Sequence, residues 1–183
     1  GATEQTVAMG DSIPGANIRY VGYSDQGAEV LINDQRAVKK VGDSLDWQGA
    51  PVSGTEVKIS QRILLANEAR LQTVGTVRVT VRSPQPEVAL FPGEGPYTYK
   101  VALTHTVRKG EAVPGTLITY EGKTDEGAQF GGLNGYPYRK MGDSVVWTGR
   151  LRQGVYLDAT YRVVAYTDEF ATLASIATIA LTE

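Results

Sequence analysis

Along much of this chain apolar and polar residues alternate with a period of two, the rhythm of a strand that buries one face. In residues 76–82, Val77, Val79 and Val81 alternate with Thr76, Arg78, Thr80 and Arg82. Val57, Ile59, Ile63 and Leu65 alternate with Glu56, Lys58, Ser60 and Arg62. Leu157, Ala159, Tyr161 and Val163 do the same against Asp158, Thr160 and Arg162, and Tyr97, Tyr99, Val101 and Leu103 form a further run. No stretch of helical length keeps apolar residues at i, i+3, i+4 and i+7. Glycines recur beside Asp, Asn or Ser, which is turn chemistry. Many short strands with regular turn signals predict an all-β chain.

The pattern occurs twice. Placing residue n above residue n+100 aligns the halves without a gap from Thr6 to Leu65. Tyr20, Gly42-Asp43-Ser44, Trp47 and Arg62 then match Tyr120, Gly142-Asp143-Ser144, Trp147 and Arg162. Further on, an offset of 102 pairs Gly75-Thr76-Val77-Arg78-Val79 with Ala177-Thr178-Ile179-Ala180-Leu181, as if the preceding turn had gained two residues. Between the copies lie Pro84, Pro86, Pro92 and Pro96, which a sheet interior would not hold. The expected organisation is a first β module over 1–83, a Pro/Gly-rich linker over 84–96 and a second module over 97–183. Each module is expected to be an antiparallel sandwich, with two small β-barrels as the alternative.

Composition removes whole classes of function. Of the 183 residues, 42% are hydrophobic and 21% charged, a globular balance rather than a disordered one. Eighteen Lys and Arg against 20 Asp and Glu give a net charge of -2, unlike a nucleic-acid binder. The absence of cysteine removes disulfides, thiolate metal sites and Cys nucleophiles, and a single histidine leaves no His cluster. The most apolar run, 171–181, is interrupted by Thr172, Ser175 and Thr178 and falls short of the ~20 residues that span a bilayer as a helix.

Several motifs invite a chemical reading. Gly42-Asp43-Ser44-Leu45 spells the tetrapeptide of a large family of serine esterases and lipases, and it returns as Gly142-Asp143-Ser144-Val145. Such a hydrolase needs Ser on a strand-to-helix turn with a His base. Here β-type sequence flanks both copies, and the one imidazole, His105, lacks the neighbouring Asp. A tight turn, with Gly at positive φ and Asp bonding the local backbone, explains the motif better. Asp25-Gln26-Gly27 and Asp125-Glu126-Gly127 lack the alternating oxygen ligands of a calcium loop and read as hairpin turns. No catalytic residue, metal or cofactor is expected. Tyr20, Gly42, Asp43 and Trp47, with Tyr120, Gly142, Asp143 and Trp147, are read as structural anchors of the repeat. His105 is assigned no role.

Recognition is sought where the copies differ. Eight of the ten tyrosines lie at or beyond Tyr97. In the second copy Gly131-Gly132-Leu133-Asn134-Gly135-Tyr136-Pro137-Tyr138-Arg139 replaces the first copy's Leu31-Ile32-Asn33-Asp34-Gln35-Arg36-Ala37-Val38-Lys39. Tyrosine supplies contact area at low entropic cost. Tyr136, Tyr138 and Arg139, extended by Arg150 and Arg152, therefore form the candidate recognition surface.

The order Tyr97-Thr98-Tyr99-Lys100-Val101, Val113-Pro114-Gly115-Thr116-Leu117, Trp147-Thr148-Gly149-Arg150-Leu151, Tyr161-Arg162-Val163-Val164 and Ala177-Thr178 resembles the tandem Ig-like β-sandwich repeats of bacterial surface and secreted proteins. The likeness covers most of 97–182 and, more faintly, 8–82. It implies a non-enzymatic spacer, adhesive or assembly subunit at the cell surface or in the extracellular space. The expected partners are other protein chains, joined through edge strands at residues 77–81 or 176–181, or surface glycans. A carbohydrate-binding module and a periplasmic envelope-assembly scaffold are the alternatives.

Overall fold

A computed structural model describes residues 1–183. The chain forms strands and turns with no helix, and it divides into two compact units. Unit 1 comprises Gly1–Arg82 and Glu94–Val101; unit 2 comprises Ser83–Gly93 and Ala102–Glu183. Residues 84–96 are thus shared between the two.

Unit 1 contains β1 (Ala2–Ala8), β2 (Ile18–Ser24), β3 (Gly27–Ile32), β4 (Gln35–Lys39), β5 (Trp47–Gly49), β6 (Thr55–Ala66) and β7 (Arg70–Val81). In unit 2, β8 (Glu87–Val88) comes first, and β9 (Tyr97–Arg108) follows, its residues up to Val101 belonging to unit 1. Unit 2 continues with β10 (Thr119–Thr124), β11 (Gly127–Gly131), β12 (Tyr138–Arg139), β13 (Ser144–Arg152), β14 (Val155–Tyr166) and β15 (Phe170–Leu181). Unit 1 sets the order β5-β6-β7-β1-β9 beside a three-stranded sheet β2-β3-β4. Unit 2 sets β9-β15-β14-β13-β8 beside β10-β11-β12.

The result is a β-sandwich-like all-β fold with open sheets. The alternative of two small barrels is therefore corrected: the strand orders end at β5 and β8 instead of closing. The period-two residues fill the interior. In unit 1 Ile18, Tyr20, Val30, Leu45, Val57 and Ile59 are buried. In unit 2 Ile118, Tyr120, Phe130, Val145, Leu157 and Val163 play that part, with the Tyr120 and Phe130 rings 5.5 Å apart. Each such aliphatic side chain contributes about 1.5–3 kcal/mol on burial.

Residues 77–81 pair with β6, whereas β1 pairs with β7 only at residues 70–76 and Gly1 meets Val77; at the level of whole strands β15 lies between β14 and β9. Two sequence expectations change. The offset does not move to 102: Ser60 pairs with Thr76 and Thr160 with Ile176, so the register holds at 100. A slip of two residues keeps every side chain on its face, so apolar pattern alone cannot detect it. Leu65 leaves its predicted phase because the register shifts between Ile63 and Leu65, and Leu64 is exposed at this bulge. The same irregularity falls between Val163 and Ala165.

Candidate functional site

The repeated letters act on backbone. Asp43 Oδ2 accepts the Lys40 N–H at 2.8 Å, and Asp143 Oδ2 accepts that of Lys140 at 2.8 Å. Arg62 and Arg162 each donate to the carbonyl of Gly42 or Gly142 at 2.8 Å. Both glycines have positive φ, 91° and 89°, as the tight turn requires. Ser44 and Arg62 form an isolated bridge, while Ser144 starts β13 opposite Arg162. Both Gly-Asp-Ser motifs are thus strand-entry turns. Tyr20 donates its hydroxyl to the Asn67 carbonyl at 2.5 Å, and Tyr120 donates to that of Thr167. The Asp25 and Asp125 turns likewise place Gly27 at φ 130° and Gly127 at φ 124°.

Each tryptophan lies over the glycine two residues ahead of it, because a Cβ on Gly49 or Gly149 would overlap the Trp47 or Trp147 ring. The two anchors are not equivalent: Trp47 is half-buried and Trp147 buried, and their N–H groups differ. Trp47 Nε1 donates to Asn33 Oδ1 at 3.1 Å, whereas Trp147 Nε1 is buried and unpaired. The cause is the adjoining loop. In unit 1 Asn33 and Asp34, at φ 48° and 65°, make a two-residue turn of the primed kind between β3 and β4. In unit 2 residues 132–137 form a longer loop, and Leu133 stands where Asn33 stood.

That loop presents the candidate recognition residues. Tyr136 is 63% exposed, and its ring meets the half-buried Tyr138 ring edge to face, with centroids 5.4 Å apart. Arg139 is occupied beneath them. Its guanidinium donates to the carbonyls of Tyr136 at 2.6 Å, Tyr138 at 2.8 Å and Ser144 at 2.8 Å. It therefore fixes the loop's shape, while the Tyr136 ring stays exposed. Arg150 pairs with Glu87 of β8, and Arg150 and Arg152 both line a polar depression of about 530 Å³ with Ser83 and Gln85. Neither Tyr136 nor Tyr138 lines that depression.

His105 is half-buried, 6.2 Å from the Tyr161 ring, and burial lowers its pKa. Burial also pushes the Tyr161 hydroxyl up to about 12.

The residue that the sequence reading passed over is Tyr99. It is 1% exposed and donates its hydroxyl to the Gly15 carbonyl at 2.7 Å. Its ring lies over Gly15, φ 80°, where any Cβ would overlap it. Gly15 N–H in turn donates to the Pro96 carbonyl at 2.9 Å, and Thr3 Oγ1 to that of Lys100 at 3.0 Å. Gly15 is thus the floor of a socket filled by a residue 84 positions away. The signal available in the sequence was the Tyr97-Thr98-Tyr99 alternation immediately after Pro96, but nothing there names Gly15 as its receiver.

No helix is long and apolar enough to cross a membrane. Compared with known protein families, curated proteins and solved structures, the chain matches none.

Proposed function

We propose that this chain is a non-enzymatic structural and interaction element of the cell surface or extracellular space, built from two homologous Ig-like modules and acting as spacer, adhesive or assembly subunit. One observation carries the reading: the shared Gly-Asp turns and the Tyr20 and Tyr120 hydroxyls are spent on backbone hydrogen bonds, while the most exposed aromatic ring, Tyr136, sits on the loop where the halves differ. Asp43 and Asp143 bond turn amides, and Tyr20 and Tyr120 bond distant carbonyls, so the shared chemistry maintains shape. Tyr136, held out by the Arg139 clamp, is the preorganised contact, and preorganisation lowers the entropic cost of binding.

Carbohydrate is the second ligand class, favoured by Tyr136 exposure. The edge-to-face Tyr136–Tyr138 pair leaves one ring face for stacking rather than a coplanar platform. The test immobilises the full chain and its Tyr136→Ala variant against a glycan array and against fractionated envelope proteins. Expected is binding to envelope protein that falls about tenfold or more in Tyr136→Ala, as loss of an aromatic anchor does. Retention by glycans alone would transfer the function to the carbohydrate reading. Turnover of aryl esters abolished by Ser44→Ala would overturn the non-enzymatic assignment.

A further inference from the structure

Unit 1 is completed by a segment that the chain reaches only after entering unit 2. Ser83–Gly93 belongs to unit 2, and Glu94–Val101 returns to unit 1 to place Tyr99 over Gly15. The corresponding position in unit 2 needs no such donor. Gly115, at φ 78°, is already covered by Leu157 and Leu151, whose Cδ2 atoms stand 3.3 and 3.4 Å from where its Cβ would be. Each copy of the chain therefore carries one acceptor and one donor.

The crossing point is strained. The Arg82 N–H is tied to the Gly54 carbonyl at 2.9 Å, and the Gln85 N–H to the Leu151 carbonyl at 2.7 Å. Between these anchors Ser83 adopts φ 48°, a left-handed conformation unfavourable to an L-residue with a Cβ. Pro84 follows it, and a proline drives the residue before it toward extended backbone. Opening the hinge at Ser83 would relieve both conflicts, and short hinges under strain invite exchange of elements between copies.

We propose that Glu94–Val101 is an exchangeable donor and that the partner of unit 1's socket is a second copy of this chain. In the exchanged form each unit 1 receives Tyr99 from the other copy, Ser83 relaxes to extended backbone, and the reciprocal arrangement closes at two chains. Every contact around Gly15 is preserved in the exchange, so the hinge decides the balance. This inference does not depend on where the protein works or what Tyr136 binds.

The test unfolds the full chain in denaturant, refolds it at high protein concentration and measures the dimer fraction by size exclusion with light scattering. Wild type is expected to give a dimer that persists on dilution. Ser83→Gly relieves the monomer's strain, and because two hinges change at once it should lower the dimer association constant roughly thirtyfold. Ser83→Val aggravates the strain and should raise it. Neither substitution touches the core, so both variants remain comparable with wild type. Monomer alone in all three proteins at every concentration, or a dimer equally abundant in all three, would overturn the proposal.

Discussion

At the scale of single residues, two glycines with the same local conformation do different work. Gly15 and Gly115 have φ of 80° and 78°. A methyl group at Gly15 meets the Tyr99 ring, while one at Gly115 meets only two leucine methyls at ordinary to tight contact. Left-handed strain of about 1 kcal/mol is common to both, but overpacking adds about 1–3 kcal/mol at Gly15 alone. Gly15→Ala should therefore destabilise by about 2–4 kcal/mol and Gly115→Ala by about 1 kcal/mol, measured by denaturant titration. Equal losses would refute the socket. The sequence exposes both glycines as turn residues, since Pro-Gly pairs are turn signals. It conceals their difference, which lies in the side chain that arrives from far along the chain to cover one of them.

At the scale of elements, local rules made the strands and turns legible. Period-two alternation located β6, β7, β9 and β14, and the Gly-Asp-Ser turns fall where Gly and Asp chemistry places them. Because Asp43 and Asp143 accept the same amide at the same distance, Asp43→Ala and Asp143→Ala should each cost about 1 kcal/mol, with matching changes in denaturation midpoint. A loss at one position only would mean that the two turns are not equivalent. What stayed hidden is non-local. The bulges at Leu64 and Val164 depend on the partner strand, and the true register of β15 differs from the expected one by a face-preserving two residues. The candidate contact at Tyr136 was legible because the copies differ there. The Arg139 clamp was not, since its carbonyl partners are fixed by loop conformation rather than residue type.

For the molecule as a whole, the anchoring tyrosines set the alkaline limit of stability. Tyr20, Tyr99, Tyr120 and Tyr161 are all buried, and desolvation raises each phenol above its ordinary value of 10.0. Three of them also donate to backbone carbonyls, a role that a tyrosinate cannot fill. A pKa raised in the folded state means that the unfolded chain releases its proton first as pH rises. The stabilisation is therefore complete below pH 10 and declines above it; Tyr161 alone adds about 1.4 kcal/mol per pH unit to that decline until about 12. On the acid side, burial lowers the pKa of His105 below 6.5, so its contribution is present above pH 6.5 and is lost as pH falls toward its folded value. Circular dichroism against pH, recorded together with tyrosinate absorbance, should show unfolding and phenol ionisation rising together above pH 10, and Tyr161→Phe should move that midpoint upward. If these four tyrosines ionised near pH 10 while the strand signal persisted, so that Tyr161→Phe left the absorbance curve below pH 11 lower by one phenol, their hydroxyls would be accessible to water and the burial that defines both units would be wrong.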